Sequence, residues 1–258
     1  MDTNKGAAVL EQTEIITSSD YRILKWITNP KGPFSYQKRD QDVIVIPVLG
    51  DGSCLLHSIV KAYHVPYIQG FTLHRDKNAG KIIKKPFDRR KFILSLRRDL
   101  SKELGSKVNS KDPESKIWYN TLSKGVLEEI HSTKVDPKKQ SKIHKNAIDI
   151  TKEFTLEGMK KTLNSNAFLD HKFFEFFSKV LEKDIYVLNS ITKDVYIFGD
   201  DVDEIYQDRD SVVILWSSNH FETIAIKNEN DEIESLFNSD HDFIKAIKHR
   251  IGKTNDSS

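Results

Sequence analysis

Between residues 43 and 63 the apolar pattern changes period. Val43, Ile44, Val45, Ile46, Pro47, Val48 and Leu49 form a short β-branched run, the pattern of a buried strand, with Pro47 marking an edge or an irregular end. Leu55, Leu56, Ile59, Val60 and Tyr63 then recur at helical spacing. Gly50, Asp51, Gly52 and Ser53 lie between the two, so the chain must turn from strand to helix there, with Asp51 or Ser53 as the cap. The single cysteine of the chain, Cys54, falls at the start of that helix. A thiol so placed faces backbone N–H groups without internal partners, and the positive end of the helix dipole favours its thiolate.

Position alone does not make a nucleophile. A free cysteine is commonly a small buried apolar residue. Its thiol has a pKa of about 8.5, and lowering that by ~2 units takes about 2.7 kcal/mol. A helix terminus supplies about 0.3 to 1 kcal/mol in ordinary geometry. A nearby imidazolium has to supply the rest.

Nine histidines compete for that role. Residues 211–216 read as a strand, Ser217, Ser218 and Asn219 as a short turn, and residues 220–226 as the returning strand. His220 therefore stands at a strand end beside a polar turn, where reactive groups are displayed on a rigid scaffold. Side chains alternate along a strand, so His220 and Glu222 share a face and Phe221 points to the other. Glu222 is the first candidate to orient the imidazole and Asn219 the second. His57 is close enough in sequence to approach the thiol. His64 and His74 fall at a helix end and loop, and His131, His144, His241 and His249 in charged, helix-like stretches where solvation is expected. With one cysteine and no paired-histidine helix motif, neither a zinc site nor a cofactor is expected.

Asp51-Gly52-Ser53-Cys54-Leu55, followed far downstream by Asn219-His220-Phe221 at the start of a terminal strand, resembles the ovarian tumour (OTU) family of cysteine proteases. Residues 167–187 look like the helix and strand that precede the family's histidine. The resemblance spans about residues 43–226, and three pieces in the right order carry it. It implies an α+β, papain-like OTU fold, a small mixed β-sheet flanked by helices, with thiol and imidazole meeting at one edge of the sheet.

The same resemblance implies a ubiquitin-directed isopeptidase. Cys54 attacks the carbonyl that joins ubiquitin's terminal glycine to a lysine, and His220 takes the thiol proton and returns one to the departing amine. Asp51 and the backbone of Gly52, Ser53 and Cys54 shape the oxyanion hole. Glu222 stands where the family commonly has aspartate or asparagine, an extra methylene that puts the third role in question. His57 belongs to the family's cysteine motif without being its base. Trp216, Phe221, Asp201 and Asp203 are the substrate-binding candidates, the last two because an acidic cluster attracts an arginine-containing ubiquitin tail. An acidic turn is the plainer reading of that cluster. Helical material within residues 106–166 is the candidate for holding the ubiquitin body. Two alternatives remain: a catalytically idle OTU-like scaffold that binds ubiquitin, and a cysteine hydrolase acting on a ubiquitin-like modifier.

Composition bounds the rest. With 258 residues, 38% hydrophobic and 10% aromatic, the chain can build a real core. Residues 1–15 read as a flexible start, 16–252 as one domain, 240–251 as a packed terminal helix carrying Phe243, Ile244, Ile247 and Ile251, and 253–258 as a disordered tail. No apolar run is long enough to cross a bilayer, and one cysteine excludes an internal disulfide, so a cytoplasmic monomer without membrane contact is expected. Net charge is only +2, but residues 77–98 hold nine lysines and arginines. Residues 87–104 place Phe92, Ile93, Leu96 and Leu100 on one helical face with arginines opposite, a solvated face rather than a nucleic-acid site, since no aromatic interleaving accompanies it. Lysine, asparagine and isoleucine abundance with compact length points to a large DNA virus source.

Overall fold

The computed structural model describes residues 21–76, 81–122, 154–196 and 206–255. Ten strands and six α-helices are numbered here in chain order. Eight strands form one mixed sheet in the order β1 (Arg22–Ile23), β2 (Gln41–Ile46), β8 (His220–Asn228), β7 (Ser211–Ser217), β5 (Asp184–Asn189), β6 (Asp194–Tyr196), with β9 (Ile233–Glu234) on β8 and β10 (Leu236–Phe237) on β7. Among the described residues only β5 and β7 pair in parallel. β3 (Phe71–Arg75) and β4 (Ile82–Pro86) make a separate antiparallel hairpin.

Both faces of the sheet are covered, which is why β5 and β7 read as unbroken apolar runs rather than alternating ones. Ile185, Val187, Val212, Ile214 and Phe221 face one core with helices α1 (Cys54–Lys61), α3 (Arg89–Leu104), α4 (Leu156–Leu163) and α5 (Phe174–Leu181). Tyr186, Leu188, Val213, Leu215, Ile224 and Ile226 face the other, closed by Leu24, Ile27, Phe34 and α6 (Asp242–Asn255). The expected α+β architecture is present.

Three details differ from expectation. β2 ends at Ile46, because Pro47 has no N–H to continue the ladder. α6 runs through Gly252 to Asn255: Gly252 has no positive φ, and nothing lies within 4 Å of a Cβ placed there, so no turn requires it. β8 and β7 lie in the middle of the sheet order, so their turn sits at the strand ends of a central pair, not at an edge strand. The expected flexible start, residues 1–15, and residues 123–153 of the stretch 106–166 expected to hold the ubiquitin body lie outside the described residues; the described part of that stretch includes the 3-10 turn Trp118–Thr121 and α4.

Candidate active site

The loop before α1 is built around Asp51. One carboxylate oxygen accepts from the Ser53 N–H at 2.8 Å, and the other meets His57 Nε2 at 3.2 Å. The Asp51 carbonyl accepts from the Cys54 N–H at 3.1 Å. Ser53 occupies the N-cap position without a side-chain cap bond, so Asp51, two residues earlier, closes the turn. His57 is fully buried, and its Nδ1 bonds the Tyr67 hydroxyl of α2 (Val65–Gln69). Both imidazole nitrogens are engaged, so His57 supports the loop and has no nitrogen for the thiol. Burial holds it below the ordinary histidine value, against the Asp51 carboxylate.

Gly52 is required by close approach. A Cβ there would lie 2.1 Å from the Asn166 carbonyl oxygen, and the Gly52 carbonyl accepts from the Leu169 N–H at 3.1 Å. The loop is therefore pressed against residues 166–169. The oxyanion-hole expectation needs qualification here: the Ser53 and Cys54 amides already donate to Asp51. An ionised carboxylate only accepts, so Asp51 contributes by shaping the turn and not as a donor. The Gly52 N–H has no protein acceptor among the described residues.

Cys54 is 1% exposed and packs in the core beneath the start of β8. Burial pushes its thiol above the ordinary value, the nearby backbone of Phe221 and Leu55 opposes this, and the Asp51 carboxylate pushes it up further. The thiolate preference expected from the helix start is outweighed by desolvation. Cys54 and Phe221 nonetheless share one core cluster, so the start of α1 packs against the strand whose first residue is His220. From the other side, a Cβ on Gly50 would lie 3.9 Å from His220 Cε1, so the same loop reaches the imidazole. His220 is half-buried at the first position of β8, opposite Ser217, across the two-residue turn of Ser218 and Asn219. Among the described residues its ring makes no hydrogen bond.

The orienting role expected of Glu222 meets a competitor. Glu222 is buried, and both its carboxylate oxygens accept from Arg22 of β1, one at 2.7 Å. Asn219 is exposed in the turn. Neither bonds the imidazole in this structure. Trp216 is half-buried opposite Phe221 on β7, edge-on to Tyr196. Phe221, expected at the substrate surface, is 4% exposed and packs edge-on to Phe174 and stacked on Phe168, so its ring belongs to the core. Asp201 and Asp203 lie outside the described residues, as do His131 and His144. His64, at the helix end, is half-buried and stacked on Phe92 with ring centroids 4.7 Å apart.

Two residues that matter here were not singled out in the sequence. Phe168 remains 37% exposed and stacks on Phe221 of β8, the residue that follows His220. Arg97 was read as part of a solvated basic face, yet it is 1% exposed and bonded to the cysteine loop. Its only advance signal was helical phase: Arg97 lies four residues after Ile93, which is buried on the same face of α3. No cluster of three or more metal-ligating side chains occurs among the described residues, and no helix among them is long and apolar enough to cross a membrane.

No protein-family model matches the chain, and no curated protein matches it. Among solved structures it is similar to one described as an ovarian tumour (OTU) domain in complex with ubiquitin. That match covers 85% of this chain and 90% of the other at 15% identity, with a TM-score of 0.40. The viral source expected from composition finds no support in these comparisons.

Proposed function

We propose that the chain is a cysteine isopeptidase of the OTU type that cleaves the bond after ubiquitin's C-terminal glycine. The observation that carries the chemistry is the packing of Cys54 at the start of β8, against Phe221, the residue that follows His220. The substrate class rests on the motif resemblance of residues 51–55 and 219–221.

In the proposed reaction His220 takes the Cys54 proton as sulfur attacks the scissile carbonyl. The oxyanion that develops is met by the Gly52 N–H, joined by the Cys54 N–H if it leaves the Asp51 carbonyl. His220 then gives its proton to the lysine amine as the C–N bond breaks, leaving a thioester. Water, deprotonated by His220, hydrolyses the thioester and restores the thiol. Because the resting thiol is neutral and buried, substrate binding has to bring thiol and imidazole into hydrogen-bond reach; such bonds are commonly loose before substrate arrives.

The second reading, a ubiquitin-binding scaffold without turnover, is favoured by one observation: Glu222 is held by Arg22 and does not orient His220. The two are separated by incubating the full chain with a panel of isopeptide-linked ubiquitin dimers while measuring binding of the same dimers. The enzyme reading expects ubiquitin release that Cys54→Ala abolishes with binding retained. Binding without release by the parent chain leaves the scaffold. Neither binding nor release on ubiquitin, with cleavage of a ubiquitin-like conjugate, moves the substrate to another modifier.

A further inference from the structure

Arg97, in the middle of α3, carries a full positive charge into the core with no carboxylate bonded to it among the described residues. Its five N–H donors are all used. Nε donates to the Leu163 carbonyl at 3.0 Å. One terminal nitrogen donates to the Gly52 carbonyl at 3.3 Å and Ser53 Oγ at 2.8 Å, and the other to the carbonyls of Thr162 at 2.6 Å and Ala167 at 3.0 Å.

The acceptors explain how the charge is tolerated. Thr162 and Leu163 end α4, where the dipole is negative, so the guanidinium caps that helix together with Ser165, whose N–H and hydroxyl also reach the Thr162 carbonyl. The other end of the fork grips the two residues before the nucleophile. One planar group thus ties three stretches together: α3, the end of α4 with the following residues, and the cysteine loop. Lysine, with three donors on a point charge, cannot reproduce that span.

We propose that Arg97 is a positioning residue for Cys54, holding the loop of residues 50–53 against residues 162–167 so that the thiol keeps its place under β8. The inference rests on Cys54 being the nucleophile of the proposed reaction. Gly52 lies close against Asn166, and two polar links hold the loop there, the Leu169 N–H on the Gly52 carbonyl and the guanidinium, which alone of the two is a side chain and also reaches Ser53. Ser101 is the natural control. It joins the same helices, accepting from Asn164 Nδ2 at 2.7 Å, but makes no contact with the loop.

The test uses the full chain with Arg97→Lys, Arg97→Gln and Ser101→Ala. Two rates are measured: capture by ubiquitin bearing a C-terminal electrophile, resolved into half-saturation and maximal rate, and alkylation of Cys54 by iodoacetamide across a urea series. For both Arg97 variants the maximal capture rate is expected to fall at least about tenfold with half-saturation little changed, since small misplacement of a nucleophile is costly. Alkylation at zero urea is expected to rise by about threefold or more, independent of urea, because the loop opens locally without global unfolding. Ser101→Ala is expected to match the parent in both. If Arg97→Gln fails to fold, Ser53→Ala, which removes one acceptor, is expected to change both rates in the same directions. Parental capture and alkylation in folded Arg97 variants, or a change in half-saturation alone, overturns the proposal. A parent chain that ubiquitin does not trap, but whose alkylation still responds to Arg97, defeats the ubiquitin reading and leaves Arg97's role standing.

Discussion

Asp51 does three things with one side chain and one carbonyl: it closes the turn before α1, holds His57, and occupies the Cys54 amide. Its negative charge also raises the buried thiol, adding to desolvation. The alkylation rate of Cys54 is therefore expected to keep rising with pH beyond the ordinary thiol range, and Asp51→Asn to move the midpoint down; a midpoint that stays or rises in that variant contradicts the assignment. His57 gives a second prediction. Its folded pKa is depressed by burial, with Arg89 and Arg90 adding to the effect and Asp51 opposing it. Above about pH 6.5 folded and unfolded forms are both neutral; as pH falls below that value the unfolded chain gains the proton first, so stability is lost. His64 is shifted in the same direction and contributes the same sign. Thermal unfolding between pH 7.5 and 5.5 is expected to show a decline that is shallower in His57→Gln, and an identical decline in both chains contradicts it.

At the level of elements, α1 and the β7–β8 hairpin were legible because each declares itself locally: α1 by apolar spacing, the hairpin by two apolar runs flanking Ser218 and Asn219. Cys54 and His220 followed from where those elements begin. Arg97 was not legible, since a lone arginine on an otherwise charged helix looks solvated until its acceptors, all outside α3, are brought in by tertiary packing. The partner of Glu222 was hidden for a related reason: strand alternation sets its face, but Arg22 on β1, only two residues long, is brought to it by tertiary packing. Gly52 reads as a turn glycine, yet the space left by the Asn166 carbonyl is what demands it. Gly52→Ala is expected to cost about 1–3 kcal/mol as the loop shifts to relieve the clash. Equilibrium urea unfolding measures this, and a loss below about 0.5 kcal/mol, within the range of neutral surface changes, places the loop elsewhere.

Across the whole molecule, a mixed sheet covered on both faces fixes the ends of β7 and β8 as a rigid rim. α1 is bound to β8 beyond the site: Thr223 Oγ1 donates to the Ser58 carbonyl at 2.8 Å. The helix start and the strand start therefore cannot drift apart without opening the core. In the proposed reaction a proton passes from sulfur to imidazole when substrate is seated, and this packing keeps the two starting points of the elements together. The decisive measurement is the rate of covalent capture of the full chain by ubiquitin carrying a C-terminal electrophile, comparing the parent with Cys54→Ala and His220→Ala. A covalent adduct with the parent, none with Cys54→Ala, and capture at least about 100-fold slower with His220→Ala is the expected result. An adduct that survives Cys54→Ala, or a His220→Ala chain as fast as the parent, contradicts a thiol activated by that histidine.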